Sequence, residues 1–304
     1  MLVSLPSVLR IPLAMLLLFL NVVLHVLPLI ALALLKVVVP LGFVRRPLSR
    51  VLVLIAESWI GFNNVLFKLF TRVRWQVEGL DGLRRDGNYL VLSNHQSWVD
   101  IPVLQKVFNR RIPFMRFFLK QQLIWVPLLG PAWWALDFPF MKRYSRQTLL
   151  RHPELQGKDR EATKRACEKF QHMPVAVMNF AEGTRFTQVK HDAQSSPYQY
   201  LLRPKAGGVS FVLDAMGKAL HAIVDVTIVY PEGPCTLMDL IAGRVHDIRV
   251  HVRERPIDAG LIGSYDEDAA FRGRVKAWMN TLWVDKDAQI ARMRTATDAA
   301  STGH

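Results

Sequence analysis

Residues 89–100 read Tyr-Leu-Val-Leu-Ser-Asn-His-Gln-Ser-Trp-Val-Asp, an apolar strand candidate (Tyr89 to Ser93) that breaks at once into a polar turn. Ser97 and Asp100 form an S-x-x-D signature, which predicts a helix start capped by Ser97 with Asp100 in its first turn. That geometry sets His95 at the strand exit, just ahead of the helix. The Asp100 carboxylate can then reach one ring nitrogen and leave the other free. A histidine held in one tautomer by a carboxylate is a prepared general base. The spacing alone is common; what surrounds it gives it weight.

On either side of this stretch, from about residue 75 onward, short apolar runs alternate with charged amphipathic ones, the pattern of an α/β domain. The other strand candidates are Ile112 to Phe118, Ala135 to Met141, Val175 to Phe180, Ala222 to Tyr230 and Ile248 to Val252. Helices are expected near 98–108, 158–171 and 206–217. A late helix is marked by Phe271, Val275, Trp278 and Leu282, which share one face. A second chemical candidate follows the strand at 175–180, where the chain reads Glu182-Gly183-Thr184-Arg185. In open α/β sheets ligands gather beyond the carboxyl ends of strands. Gly183 permits a tight turn, Thr184 adds a hydroxyl, and Arg185 offers a planar donor fork suited to phosphate. Lys205-Ala206-Gly207-Gly208 opens another helix, and Phe140-Met141-Lys142-Arg143 ends a strand in paired cations.

The first quarter of the chain differs in texture. Of the 304 residues, 39 are Lys or Arg against 25 Asp or Glu, a net charge of +14. Eight of those basic residues and a single acid, Glu57, fall within residues 1–75. Residues 11–35 carry no charge at all. Cations beside an apolar run suit an anionic phospholipid membrane. Nucleic acid does not require such a run, and no nucleic-acid-binding motif is present. A helix over 11–35 would be ~37 Å long against a hydrocarbon core of ~30 Å, so it could span. Ala31-Leu32-Ala33 imitates a signal-peptidase site, but apolar sequence resumes at Val37. A second, amphipathic run covers Val51 to Phe70. Two geometries stay open: a spanning helix followed by an interfacial one, or a hairpin dipped into one leaflet. The two cysteines, Cys167 and Cys235, form no C-x-x-C pair, which suits a reducing compartment. The organisation read from this texture is a membrane-anchoring helical segment (1–72), an α/β domain (73–293) and a polar tail (294–304).

Taken together, these motifs resemble the glycerolipid acyltransferase superfamily, the 1-acylglycerol-3-phosphate acyltransferases, and within it a bacterial YihG-like branch. The family's first block, N-H-x-S-x-x-D, is met by Asn94, His95, Ser97 and Asp100. Its third block, usually F-P-E-G-T-R, appears as Phe180 to Arg185 with Ala181 in place of Pro. An intervening Lys, Leu, Pro, Gly pattern is matched by Lys120, Leu123, Pro127 and Gly130. The second block is divergent and ends in Arg143, and the fourth resembles Val226 to Pro231.

The resemblance implies a mixed sheet flanked by helices, of glycerol-3-phosphate acyltransferase type, with an N-terminal membrane-binding helical segment. It implies transfer of a fatty acyl group from acyl-CoA or acyl carrier protein to a lysophospholipid hydroxyl. His95 is then the base, Asp100 its partner and Lys120 the oxyanion candidate. Asn94, Ser97, Arg143, Glu182, Gly183, Thr184 and Arg185 form the acceptor site, and neither a metal nor a further cofactor is required. The location implied is the cytoplasmic side of a bacterial inner membrane. Two other classes compete. A serine hydrolase would want a G-x-S-x-G elbow, and the nearest run, Gly208-Val209-Ser210-Phe211-Val212, lacks the second Gly. A catalytically silent lipid-binding protein would be favoured by loss of His95 or Asp100, and both are present.

Overall fold

In the computed structural model, which describes residues 2–39, 42–141, 151–152, 161, 167, 170, 173–265 and 268–295, the run Tyr89–Ser93 lies at the heart of a six-stranded sheet. The strands are β1 (Arg74–Glu78), β2 (Tyr89–Ser93), β3 (Met115–Phe117), β4 (Leu119–Lys120), β5 (Phe140–Met141), β6 (Ala176–Phe180), β7 (Ala222–Val229) and β8 (Asp247–Arg255). The order is β1-β8-β7-β2-β6-β3, with β4 and β5 pairing apart from it. β2 runs parallel to both of its neighbours, β6 and β7, and β6 runs parallel to β3. β7 and β8 are antiparallel, which makes the sheet mixed. All five β2 residues are buried, because helices cover both faces of a central parallel strand.

Eight α-helices are described: α1 (Ser7–Val38), α2 (Gly42–Phe70), α3 (Asp100–Phe108), α4 (Leu129–Ala135), α5 (Gln188–Ala193), α6 (Ala206–Met216), α7 (Leu237–Ile241) and α8 (Ala269–Thr295). Tyr89 and Val91 face one core, shared with α1, α2, α3 and α4. Leu90 and Leu92 point the other way, toward a second core built on α6 and α8. On α8 the buried apolar positions are Phe271, Val275, Met279, Leu282, Trp283 and Ile290, with Trp278 only half-buried. Lys286 of the same helix is fully buried, and its ammonium donates to Asp225 and to the Val226 carbonyl of β7.

Several expectations need correction. Residues 135–141 are not one strand: Ala135 ends α4, Asp137 turns the chain with φ of 59°, and only Phe140–Met141 is extended. Of 112–118, Met115–Phe117 joins the main sheet. The edge strand β1 was not anticipated. The helix expected at 158–171 and the cation pair at Lys142 and Arg143 lie outside the described residues, apart from isolated positions. α8 continues through Thr295, and the rest of the expected tail lies outside the described residues.

The first quarter folds into two long antiparallel helices. α1 would measure ~48 Å and α2 ~44 Å at ~1.5 Å per residue. Both are long and apolar enough to cross a bilayer by length and composition. A polar seam joins them: the Asn21 amide donates to Asn63 Oδ1 (2.9 Å) and to the Trp59 carbonyl (3.1 Å), and His25 Nε2 meets Ser58 Oγ (3.2 Å). Buried polar partners of this kind fix the register of two apolar helices. Ala14, Val26, Leu29 and Ala33 of α1 are buried, while Leu16, Phe19, Leu20, Leu24 and Leu27 are exposed. Both ends of α1 are tied to the α/β domain. Arg10 donates to the Ala242 carbonyl (2.7 Å), and Lys36 pairs with Asp137 (2.8 Å).

Candidate active site

Because β2, β6 and β7 are parallel, their carboxyl ends meet at one edge of the sheet, and the residues leaving them come together there. Asn94 leaves β2 and extends the ladder with its side chain: its amide donates to the Ile228 carbonyl (2.8 Å), and its Oδ1 accepts from Ile228 N (2.9 Å). The polar turn is thereby stitched to β7. Ser97 Oγ donates to the Cys235 carbonyl and accepts from Val99 N (3.0 Å). Ser97 therefore stabilises the turn and ties it to the loop after β7. The helix proper begins at Asp100, with Val99 at its N-cap position and no capping bond from Ser97.

Asp100 is wholly buried and is the hub of the site. Its Oδ2 accepts from His95 Nδ1 (2.8 Å), Gln96 N (2.7 Å) and Ser97 N (2.9 Å). Its Oδ1 accepts from the Tyr230 hydroxyl (2.7 Å). Four donors on two oxygens leave the carboxylate only as an acceptor, so the proton between His95 and Asp100 resides on Nδ1. Nε2 is then the lone-pair nitrogen. It makes no hydrogen bond among the described residues, and the His95 side chain keeps 14% of its surface exposed. Burial, with the Asp100 charge beside it, raises the Tyr230 phenol well above its ordinary pKa and keeps it a donor.

The imidazole is also fixed from its backbone and its face. His95 N donates to Glu182 Oε1 (2.9 Å), its carbonyl accepts from Phe186 N (2.7 Å), and its ring stacks on Phe180 with centroids 3.9 Å apart. The second oxygen of Glu182 accepts from Leu202 N (2.9 Å). Glu182 is 1% exposed, and burial raises its carboxyl to about 7. Both of its oxygens are turned inward on backbone amides. Asn94, Ser97 and Glu182 thus stand behind the site, holding its loops, and do not line an acceptor pocket.

Gly183 follows with φ of +70°, a conformation that side chains disfavour, and an added Cβ would lie 3.3 Å from Lys205 Nζ. Thr184 Oγ1 accepts from Lys190 Nζ (2.9 Å), which also donates to the Arg185 carbonyl (3.0 Å). Arg185 is exposed, with its guanidinium 4.9 Å from the centroid of the Trp98 ring. Among the described residues it forms no ion pair. Arg185, Lys190 and Lys205 therefore surround one turn with positive charge, the arrangement a phosphate anion would meet. Lys120 is exposed at the end of β4, on the chain leaving β3, and among the described residues it makes no hydrogen bond to the His95 turn. Arg143 lies outside the described residues.

Tyr230, Trp98, Lys190 and Lys205 were not singled out as site residues from sequence. Tyr230 sits in the run Val226 to Pro231, which was recognised as a block but not for its phenol. The serine of the hydrolase-like run, Ser210, is 1% exposed within α6, and Ser97, close to His95 in sequence, donates its proton to a carbonyl. The buried Cys235 thiol is pushed up to about 12, which leaves it protonated and inert. Among the described residues no group of three or more His, Cys, Asp or Glu side chains is placed to hold a metal ion.

Comparison with known proteins agrees with this architecture. Lysocardiolipin acyltransferase 1 of Mus musculus is 25% identical over 253 residues, covering 78% of this chain and 62% of its own. The gamma form of 1-acyl-sn-glycerol-3-phosphate acyltransferase from Homo sapiens is 25% identical over 181 residues, or 56% of this chain and 43% of its own. The chain thus spans less than two thirds of the length of these curated relatives. The crystal structure of the 1-acyl-sn-glycerophosphate (LPA) acyltransferase PlsC from Thermotoga maritima superposes with a TM-score of 0.52 at 17% identity, covering 91% of this chain and 98% of that one, so the two share a fold. Residues 74–235, more than half of the chain, match the family described as Acyltransferase, and they include the His95 turn, the Glu182 turn and Tyr230; the chain belongs to that family.

Proposed function

We propose that the protein transfers a fatty acyl group from a thioester, acyl-CoA or acyl carrier protein, to the hydroxyl of a lysophospholipid, with 1-acylglycerol-3-phosphate as the acceptor. The observation that carries this reading is His95, held by two backbone and two ring contacts with Nδ1 on Asp100 and with Nε2 unpartnered among the described residues. Nε2 takes the proton of the acceptor hydroxyl as its oxygen attacks the thioester carbonyl. The Asp100 carboxylate stabilises the imidazolium that forms. Collapse of the tetrahedral oxyanion breaks the carbon–sulfur bond, and the leaving thiolate takes the proton back from Nε2. The products are an ester and a free thiol. Resemblance to the family assigns the oxyanion to Lys120. The cations about the Glu182 turn, Arg185 first among them, suit the acceptor phosphate.

The same reading sets the protein on one leaflet, at the cytoplasmic face of a bacterial inner membrane. A helix tied to the α/β domain at both Arg10 and Lys36 cannot cross a bilayer without dragging that domain into it. The exposed apolar face of α1 instead suits burial in the plane of the headgroup boundary. The cations of the first quarter complement an anionic leaflet.

The test is a product-resolved assay of the membrane-reconstituted protein with a panel of lysolipids and both thioester donors, beside His95→Ala. Acceptor-dependent formation of diacyl product that His95→Ala abolishes, with folding and membrane association unchanged, supports the proposal. Thiol release without acceptor would instead mean hydrolysis, and an active His95→Ala protein would remove the mechanism.

A further inference from the structure

A cavity of about 690 Å³ is lined by Lys36 near the end of α1 and by the first half of α2. Pro113 and Phe114, which precede β3, Pro174, which precedes β6, and Arg85, which precedes β2, line it. It therefore lies at the amino-terminal edge of the parallel strands, opposite the edge that carries His95. Its volume is that of a small-molecule site, and its walls are unusually cationic. Among the described residues, Lys36, Arg45, Arg46, Arg50, Arg85 and Arg116 line it, against one acid, Glu57.

That acid is already spent. Glu57 is 2% exposed, takes an Arg85 nitrogen at 2.6 Å and has Arg110 at 3.7 Å. Lys36 is held by Asp137. Among the described residues, Arg45, Arg46 and Arg50 pair with no carboxylate. Arg116 is the more telling group. Its side chain is 2% exposed and its Nε donates to the Leu136 carbonyl (3.0 Å), yet its buried Nη1 has no hydrogen-bond partner. Burial draws its pKa down to about 10, which leaves it charged at neutral pH. A buried charged donor left unmet is costly, so such a group in a cavity wall points to an anionic partner.

The rest of the surface says what kind of anion. Val53, Leu54 and Phe114 supply apolar wall, and the adjoining ends of α1 and α2, which carry the cavity's Lys36 and Arg45, also bear Val37, Val38 and Phe43, exposed at 60%, 77% and 76%. Inorganic phosphate would meet the arginines but leave the apolar surface in water. A diacyl lipid meets both.

We infer that this cavity binds the phosphate headgroup of an anionic phospholipid drawn from the bilayer, with the lipid's acyl chains lying along the exposed Val37, Val38 and Phe43 at the adjoining ends of α1 and α2. The headgroup phosphate accepts from Arg116 Nη1 and from Arg46 and Arg50 at the mouth. Among the described residues, none from the His95 edge lines the cavity, so the lipid bound there is not in position to be a substrate, and the inference does not depend on the reaction proposed above. The site pins the hairpin turn to a leaflet that carries negative charge.

The test uses the full-length protein in neutral detergent micelles, with bound lipid counted by native mass spectrometry in the presence of phosphatidylglycerol or phosphatidylcholine. Phosphatidylglycerol should be retained roughly tenfold more than phosphatidylcholine at equal concentration, because the phosphate of the latter can make the same contacts but its choline cation is repelled by the surrounding arginines. The exposed double substitution Arg46→Gln/Arg50→Gln should erase most of that preference, and Arg185→Ala should leave it intact. Arg116→Gln should act like the double variant; if it fails to fold, the double variant alone carries the test. Equal retention of the two lipids, a preference that survives Arg46→Gln/Arg50→Gln, or one lost in Arg185→Ala would overturn the inference. So would displacement of phosphatidylglycerol by millimolar inorganic phosphate, which would make this a site for a soluble anion.

Discussion

Replacing Asp100 by Asn removes one charge and leaves the volume of the hub unchanged. The carbonyl oxygen of Asn can occupy the Oδ2 position, where it still accepts from His95 Nδ1, Gln96 N and Ser97 N. Its amide then faces the Tyr230 oxygen, which changes from donor to acceptor. The buried Tyr230 hydroxyl hydrogen is then left without an acceptor among the described residues, so the fold should survive at a cost of ~1 to 3 kcal/mol in stability. What is lost is the attraction between the carboxylate and the imidazolium formed during the reaction. At the 2.8 Å separation of the pair, and with an effective dielectric constant of about 20, that attraction is about 6 kcal/mol. The Asn dipole recovers part of it. At ~1.4 kcal/mol per factor of ten, the expected loss in kcat is about three to four orders of magnitude. The assay is kcat at saturating acceptor and donor, measured beside thermal unfolding of the same preparation. An Asp100→Asn protein that is folded at the assay temperature and has activity within about tenfold of wild type would refute the claim that imidazolium stabilisation carries the rate.

The other predictions concern recognition, pH and the membrane. Arg185→Lys should raise acceptor KM with little change in donor KM, and Arg185→Ala should lower kcat/KM for the acceptor about ten- to a hundredfold or more, since a charge-assisted hydrogen bond is worth ~1.5 to 3 kcal/mol; unchanged acceptor kinetics would take Arg185 out of the site. The Glu182 carboxyl, raised from 4.5 to about 7 by burial, binds its proton more tightly in the folded state, so it lowers stability as pH rises from 4.5 to 7, by about 3 kcal/mol in all. Denaturant titrations across that range should show the decline in wild type and not in Glu182→Gln. Full-length protein should stay with membranes through a high-salt wash, because burial of the apolar face of α1 does not depend on ionic strength whereas the cations do; release by salt alone would mean that the hairpin is not inserted.

The pairing of His95 with Asp100 was legible in sequence because it is local: strand exit, turn and helix start fall within one stretch. The supports of that pair were not. Tyr230 joins Asp100 from 130 residues away and Glu182 joins His95 N from 87 away, so only the parallel order of β7, β2 and β6 brings them together. Sequence also exchanged roles. Glu182 reads as a polar residue at a strand end, yet its carboxylate is a strut, while the charged groups beside it, Lys190 and Lys205, come from α5 and the start of α6. β1 escaped notice because Arg74–Glu78 is short, charged at both ends and half-exposed on an edge. The run 135–141 misled because its apolar residues serve a helix end and a turn instead of a strand. Gly130 of the Lys, Leu, Pro, Gly pattern gains a physical reason: an added Cβ would lie 2.0 Å from the Ile124 carbonyl oxygen.

In the one-leaflet placement proposed above, the double tether of α1 makes the hairpin a float instead of a mast. A spanning anchor answers to hydrocarbon thickness, tilting or stretching as the bilayer changes, and would carry its catalytic domain up or down with it. Here Arg10 and Lys36 clamp the helix along the flank of the α/β domain, so the height of the His95 edge above the acyl chains is set by protein packing alone. The reference plane is the surface of one leaflet. Turnover of an acceptor held in that leaflet should therefore be indifferent to the chain length of the surrounding lipids, and responsive to how tightly their headgroups are packed.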